Sequence, residues 1–262
     1  MSAITLRERI KSYQDLTDYK FLPKLPVAVV VNGRSFRKIT SMLDKPFSDE
    51  FIELMGATTI KLMAELDGSV IAFSYNDEIV IILRNDQSAG TQAYYDGKIQ
   101  AIASASAAIA TYEFNRVSRL KDMRLFGDPI FIANAFVVPN IVEAINVLIA
   151  KQNQAYHTSL NNACFHNLAK KYNLETVRQT LSDKSTAAKI DLLLEECGIN
   201  FDNFGLPIRR GFAVYRVQKL VQTAHEEVLK NKLQIDLELP NFSQNPEFLT
   251  NIVKNNLFRL EK

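Results

Sequence analysis

The stretch AFSYNDEIVIIL, Ala72 to Leu83, places Asn76, Asp77 and Glu78 between two apolar runs. Val70 to Phe73 and Ile79 to Leu83 are rich in β-branched and aromatic residues, and Asn and Asp tolerate turn geometry. The segment therefore predicts a β-hairpin whose tip carries the acids. A hairpin tip is an ordinary place for such residues. Whether Asp77 and Glu78 also hold metal depends on what lies beside them in space.

Working outward, PVAVVV (Pro26 to Val31) reads as a buried strand, and Ser48 to Leu66 as a helix with acids in its first turn and apolar residues at helical spacing. Downstream, an alanine-dense helix is expected from about Ala93 to Phe114, then the strand FIANAFVV (Phe131 to Val138), closed by Pro139. The order βαββαβ predicts an α+β fold of the ferredoxin-like split βαβ type, with the first and third strands as antiparallel central neighbours. In that arrangement Asn32 is expected to face Asp77 at one sheet edge, with Gly33 letting a ligand approach the backbone. Two carboxylates so placed hold two divalent ions for in-line phosphoryl displacement. Here one is an amide, which predicts weaker magnesium binding.

Beyond Pro139 the chain reads as helices over Ile141 to Ala155, Ser159 to Lys171, Leu174 to Leu181 and Ser185 to Cys197, followed by strands GFAVYRV and LQIDLEL. The expected division is a palm over 1–139 and a helical and hairpin part over 140–262, packed on the palm because no flexible linker separates them.

The 262 residues are 47% hydrophobic, ample for a buried core. No apolar run is long enough to span a bilayer, and the first residues are charged and polar, so the expected location is cytoplasmic. Cys164 and Cys197 lack metal-ligand spacing and read as core thiols. The net charge of +2 is too mild to announce a nucleic-acid binder. Any polyanion site must come from local clusters such as Arg209, Arg210 and Arg216.

The ordered motifs VNGRSFRKIT, LDKPFSDEFIELM, FSYNDEI, GKIQAIASASAAIAT, FVVPN, KQNQAYHTSLNNACFHNLAKK and GINFDNFGLPIRRGFAVYR resemble the tRNA-histidine guanylyltransferase family, and most of all its bacterial guanylyltransferase-like members. The resemblance runs from about Leu6 to Arg216. It implies a polymerase-type palm that extends tRNA at its 5′ end, with GTP or ATP as substrate and two magnesium ions. A triphosphate activates the 5′ phosphate, and the 3′ hydroxyl of the incoming nucleotide then attacks it. By the same resemblance, Asp77 and Glu78 are the catalytic acids, and the metals fall on Asn32, the Gly33 carbonyl and Asp77. Gly33, Arg34, Ser35, Phe36, Arg37, Lys45 and Lys98 are candidates for nucleotide binding. Lys151, Gln152, Asn161, Arg209 and Arg210 are candidates for RNA contact, and a homotetramer is implied.

The chain departs from the family pattern at several positions. Asn32 replaces an Asp, Arg37 a His, Ala101 a triphosphate-binding Lys and Asn134 an Arg. In the helix motif, Lys151, Tyr156 and Thr158 replace Arg, His and Asn. Losing one preorganised charge or donor commonly costs ~10²- to 10³-fold in rate. Two functions are therefore expected from the sequence: an active magnesium-dependent nucleotidyltransferase, or an impaired relative that binds RNA or nucleotide. His157 and His166 read as ordinary helix residues.

Overall fold

In a computed structural model, residues 4–222, 227–255 and 258–259 are described. A capped helix α1 (Leu6–Asp15) leads into β1 (Val27–Arg34), the short α2 (Phe36–Ile39) and α3 (Asp49–Glu65). The hairpin β2 (Ser69–Tyr75) and β3 (Glu78–Leu83) follows, as expected, with Asn76 and Asp77 as its two-residue tip. Then come α4 (Ile99–Leu120) and β4 (Ile130–Val137). α4 starts later than expected because Tyr95, Asp96 and Gly97 all take positive φ, forming a turn that delays helical winding.

The predicted βαββαβ order is present, and β1 and β3 pair antiparallel in the middle of the sheet. The odd-numbered residues Val27, Val29, Val31, Ile79, Ile81 and Leu83 pack beneath α3 and α4. The intervening residues Ala28, Val30, Val80 and Ile82 face the opposite layer. Burial on both faces explains the continuous apolar runs, since neither face is left to water.

The opposite layer begins with α5 (Ile141–Leu168), one unbroken helix of 28 residues rather than two. No Gly or Pro interrupts it, and Asn140 caps its first turn through a 2.9 Å hydrogen bond from the Glu143 amide. Its first half lies on the sheet. Its second half packs against α6 (Leu174–Ser182) and α7 (Thr186–Cys197), forming a separate apolar cluster around Leu160, Cys164 and Leu193. After α8 (Leu206–Arg210), strands β5 (Phe212–Gln222) and β6 (Glu227–Asp236) add to β2, giving the order β4-β1-β3-β2-β5-β6. One sheet therefore contains strands from both sides of Pro139. α9 (Pro246–Asn255) covers the same face as α5.

Two glycines are fixed by close approach. A Cβ on Gly211, at φ +72°, would meet the Ser74 carbonyl at 2.6 Å where β5 joins β2. A Cβ on Gly33 would lie 2.3 Å from the Phe36 ring. Phe36 is buried and packs edge-on or tilted against Phe51, Phe114 and Phe131. The space above Gly33 is thus filled by a core aromatic, not left open for a ligand. Gly33→Ala is expected to cost about 1–3 kcal/mol by overpacking, read as a lower urea midpoint at unchanged slope.

Candidate active site

The sheet end carrying Arg34, Tyr75 and Glu78 is where the chemistry-bearing residues gather. The register pairs Asn32 with Glu78, not with Asp77 as expected. The Gly33 amide instead donates to the Asp77 carbonyl at 2.8 Å, so the tip folds one residue past the last strand pair. The acids divide accordingly. Glu78 is a strand residue on the α5 side, whereas Asp77 belongs to the turn.

Asp77 makes no ion pair among the described residues, and burial pushes its carboxyl above the usual range, with the charge of Glu78 adding to the effect. Beside it the Tyr75 hydroxyl accepts a 2.8 Å hydrogen bond from the Asn76 amide and is hydrogen-bonded to the Thr158 side chain. Burial raises that phenol strongly. Glu78 is bound by Lys151, whose Nζ stands 2.8 Å from Oε1 and 3.0 Å from Oε2.

Asp77 forms one wall of a cavity of about 700 Å³. The other walls come from α2, the loop before α3, the second half of α5, and α6. Four basic side chains line it: Arg37, Lys45, His166 and Arg178. Arg37, Lys45 and Arg178 form no ion pair among the described residues; Lys45 Nζ reaches only the Thr40 hydroxyl, at 3.4 Å. Burial pulls the Lys45 ammonium down, and it lowers His166 too, helped by the charges of Lys45 and Arg37. The first turn of α3, which carries Asp49 and Glu50, opens on the same space through Ser48, Phe51 and Ile52. Unpaired cations around a concave, partly apolar space are suited to a phosphorylated ligand.

Several sequence expectations are corrected here. Phe36 touches the cavity but is chiefly core. Lys98 lies at the opposite end of the palm, where α4 begins, and its ammonium pairs with Asp18 at 2.7 Å. Gln152 is buried, not RNA-facing: its amide donates to the Pro240 carbonyl at 3.0 Å and accepts from the Phe242 amide at 2.7 Å. Lys151 is engaged by Glu78. Arg209 is held by the Phe204 carbonyl and Asp202, and Arg210 by the Leu239 carbonyl. Arg34, Ser35 and Asn161 are exposed and do not line the cavity. His166, read as an ordinary helix residue, and Arg178, which carried no motif signal, were missed. Both come from helices whose approach to the hairpin is a tertiary matter.

Magnesium accepts oxygen donors when phosphate and water complete its shell, and the expected donors are the Asp77 carboxylate, the Asn32 amide oxygen and the Gly33 carbonyl, of which Asp77 lines the cavity. Among the described residues no group of three His, Cys, Asp or Glu side chains stands together. The donors therefore suit an ion that arrives with a phosphate and do not form a closed protein cage.

An antiparallel palm with a lone acid at its hairpin tip and a cationic cavity beside it belongs to the polymerase-type palms. A model of the tRNAHis guanylyltransferase (Thg1) family matches residues 7–139, and the chain belongs to that family. It is 25% identical over 227 residues to the tRNA(His) guanylyltransferase of Eremothecium gossypii, covering 82% of this chain and 90% of that one. A probable tRNA(His) guanylyltransferase of Drosophila melanogaster is 22% identical over 213 residues, 80% of this chain and 72% of the relative. The fold is similar to that of a bacterial Thg1-like protein solved in complex with ATP, at 24% identity and a TM-score of 0.81 over 95% of this chain and 99% of that one.

Gln152→Ala separates the structural from the RNA-contact role. It leaves the Phe242 amide and Pro240 carbonyl unpaired, and is expected to cost about 1–3 kcal/mol in urea unfolding while leaving RNA affinity of the folded protein unchanged.

Proposed function

We propose that the chain is a nucleotidyltransferase that adds nucleotides to the 5′ end of tRNA or another RNA, binding GTP or ATP in the cavity beside Asp77. The observation that carries this reading is the juxtaposition of one desolvated, unpaired carboxylate with Arg37, Lys45 and Arg178, none of them ion-paired among the described residues. Family membership supplies the reaction class. Relatives of this fold have been solved with ATP and with GTP.

In this reading Arg37, Lys45 and Arg178 bind the phosphates and neutralise charge on the transferring group, the electrostatic term that dominates phosphoryl transfer. His166, whose imidazolium is disfavoured by burial and further by the charges of Lys45 and Arg37, is suited to give a hydrogen bond to a phosphate oxygen. Asp77, with the Asn32 and Gly33 oxygens, would hold magnesium, which supplies charge neutralisation at the reacting phosphoryl group. Tyr75 and Thr158 fix the tip that presents Asp77. A cytoplasmic location accords with the absence, among the described residues, of any helix long and apolar enough to cross a membrane. A homo-oligomer, a tetramer by family resemblance, accords with uncovered Leu6, Ile10 and Tyr13 on α1 and Ile130, Ile132 and Phe136 on β4.

The neutral Asn32 and the neutralised Glu78 favour a second reading, a family member that binds nucleotide or RNA without transferring. Calorimetry of GTP and ATP, with and without magnesium, tests the common core. Magnesium-dependent binding is expected for the wild type, weakened at least tenfold in Asp77→Asn. Extension of 5′-phosphorylated or triphosphorylated RNA then decides between the readings, and failure to label any such RNA removes the first.

Asp77 should also weaken the fold that displays it. A carboxyl raised on folding costs stability above its folded-state value, and this cost disappears at pH low enough to protonate it in both states. Asp77→Asn is accordingly expected to melt higher than wild type at pH 7 to 8, with the gap closing as the pH falls into the ordinary carboxylate range.

A further inference from the structure

A second cavity, of about 430 Å³, lies at the other end of the sheet from Asp77. The pairing of β1 with β3 fixes the separation. Val27 and Leu83 wall this cavity, whereas Asn32 and Glu78 stand at the opposite end of the same two strands, about 17 Å away along β1. Phe21, Ile102 and the two strand residues supply apolar wall, and Asp67, Asn85 and Tyr94 supply polar groups.

The rim of this cavity is held in an unfavourable conformation. Lys24, Tyr95 and Asp96 have φ of +62°, +48° and +53°, a region that L side chains enter at a cost and that structures retain mainly at functional sites. The Lys24 ammonium fixes one side, standing 2.7–3.1 Å from the carbonyl oxygens of Asn85, Ser88, Ala89 and Thr91. On the other side the Phe21 amide donates to the Gly97 carbonyl at 2.9 Å, and Lys20 pairs with Asp96.

The groups left over define the ligand. Both cations of the wall are spent internally, Lys24 on those carbonyls and Arg84 on Asp86 and the Val253 and Lys254 carbonyls. Acceptors remain. Asn85 is 8% exposed, and its side-chain oxygen has no hydrogen-bond partner among the described residues. Asp67 forms no ion pair among them. The Arg84 amide donates to the Gly68 carbonyl at 2.8 Å, so Asp67 and Asn85 sit on adjoining chains beside that bond. Spare acceptors without a spare cation disfavour a phosphate and favour a ligand that donates N–H bonds from a flat, largely apolar body.

We propose that this cavity binds an unphosphorylated guanine-type base, whose ring N–H and neighbouring exocyclic amine donate to Asp67 and Asn85 while the ring lies against the apolar wall. The same oxygens reject adenine, which turns a ring acceptor towards them and leaves them unpaired. The site is separate from the triphosphate cavity, and the proposal does not depend on the reading given to Asp77.

Equilibrium dialysis of guanosine against the full-length protein tests the proposal. One guanosine per chain is expected, with adenosine at least tenfold weaker. Asp67→Ala removes an exposed side chain and Ala93→Trp fills the cavity from a half-buried loop position, so both are expected to fold and to weaken guanosine at least tenfold. Asn85→Leu is expected to weaken it at least fivefold. A single-stranded guanine-containing RNA that displaces guanosine makes the ligand a base of RNA, and guanosine that no such RNA displaces makes it a free nucleoside; either upholds the site. Absence of guanosine binding overturns the proposal, as does binding that neither Asp67→Ala nor Ala93→Trp weakens. Adenosine bound as tightly as guanosine overturns the guanine assignment, and unchanged affinity in folded Asn85→Leu overturns the part given to Asn85. All of these outcomes leave the triphosphate reading where it stands, because that cavity lies at the other end of the sheet.

Discussion

The pairing of β1 with β3 is the constraint on which the site depends. Val31 faces Ile79, Asn32 faces Glu78, and the Gly33 amide closes on the Asp77 carbonyl. A slip of one residue would turn every side chain of a strand to the other face. Val29, Val31, Ile79 and Ile81 would leave the α3–α4 core, and Asn32 and Glu78 would leave α5. The apolar demands of both faces therefore lock the polar end of the sheet, and the placement of Asp77 follows from hydrophobic burial farther down the same strands.

α5 is the second organising element. At about 42 Å it reaches from the middle of the palm to the α6–α7 cluster. Along that length it contributes Gln152 to the Pro240–Phe242 turn, Lys151 to Glu78, Thr158 to Tyr75, and His166 to the cavity. One helix thus anchors the hairpin that bears the acid and lines the space in front of it. Its uninterrupted course depends on the absence of Gly and Pro between Ile141 and Leu168.

Charge is distributed unevenly across the site. Basic side chains elsewhere are used internally: Arg216 on the Met63 and Ser69 carbonyls, Arg209 on Phe204 and Asp202, Lys24 on four loop carbonyls. Arg37, Lys45 and Arg178 have no such use, and Asp77 is half-buried without an ion-pair partner among the described residues. Unpaired charges held near one cavity cost stability, and active sites commonly carry that cost because a ligand relieves it.

The strand–helix order, the hairpin and the motif series were legible in the sequence because they depend on local periodicity, turn chemistry and residue order. They were enough to set the βαββαβ palm and to single out Asp77, Glu78, Arg37 and Lys45. Local pattern could not show that Phe36 fills the space above Gly33, that Lys98 begins its helix at the far end of the sheet, or that Gln152 points inward. Nor could it show that Lys151 meets Glu78 across 73 residues, or that His166 and Arg178 join the cavity. Those are distances between elements far apart in the chain. Only the packing of α5 and α6 against the sheet decided them, because two side chains separated by many residues share an electrostatic environment only once the core between them has formed.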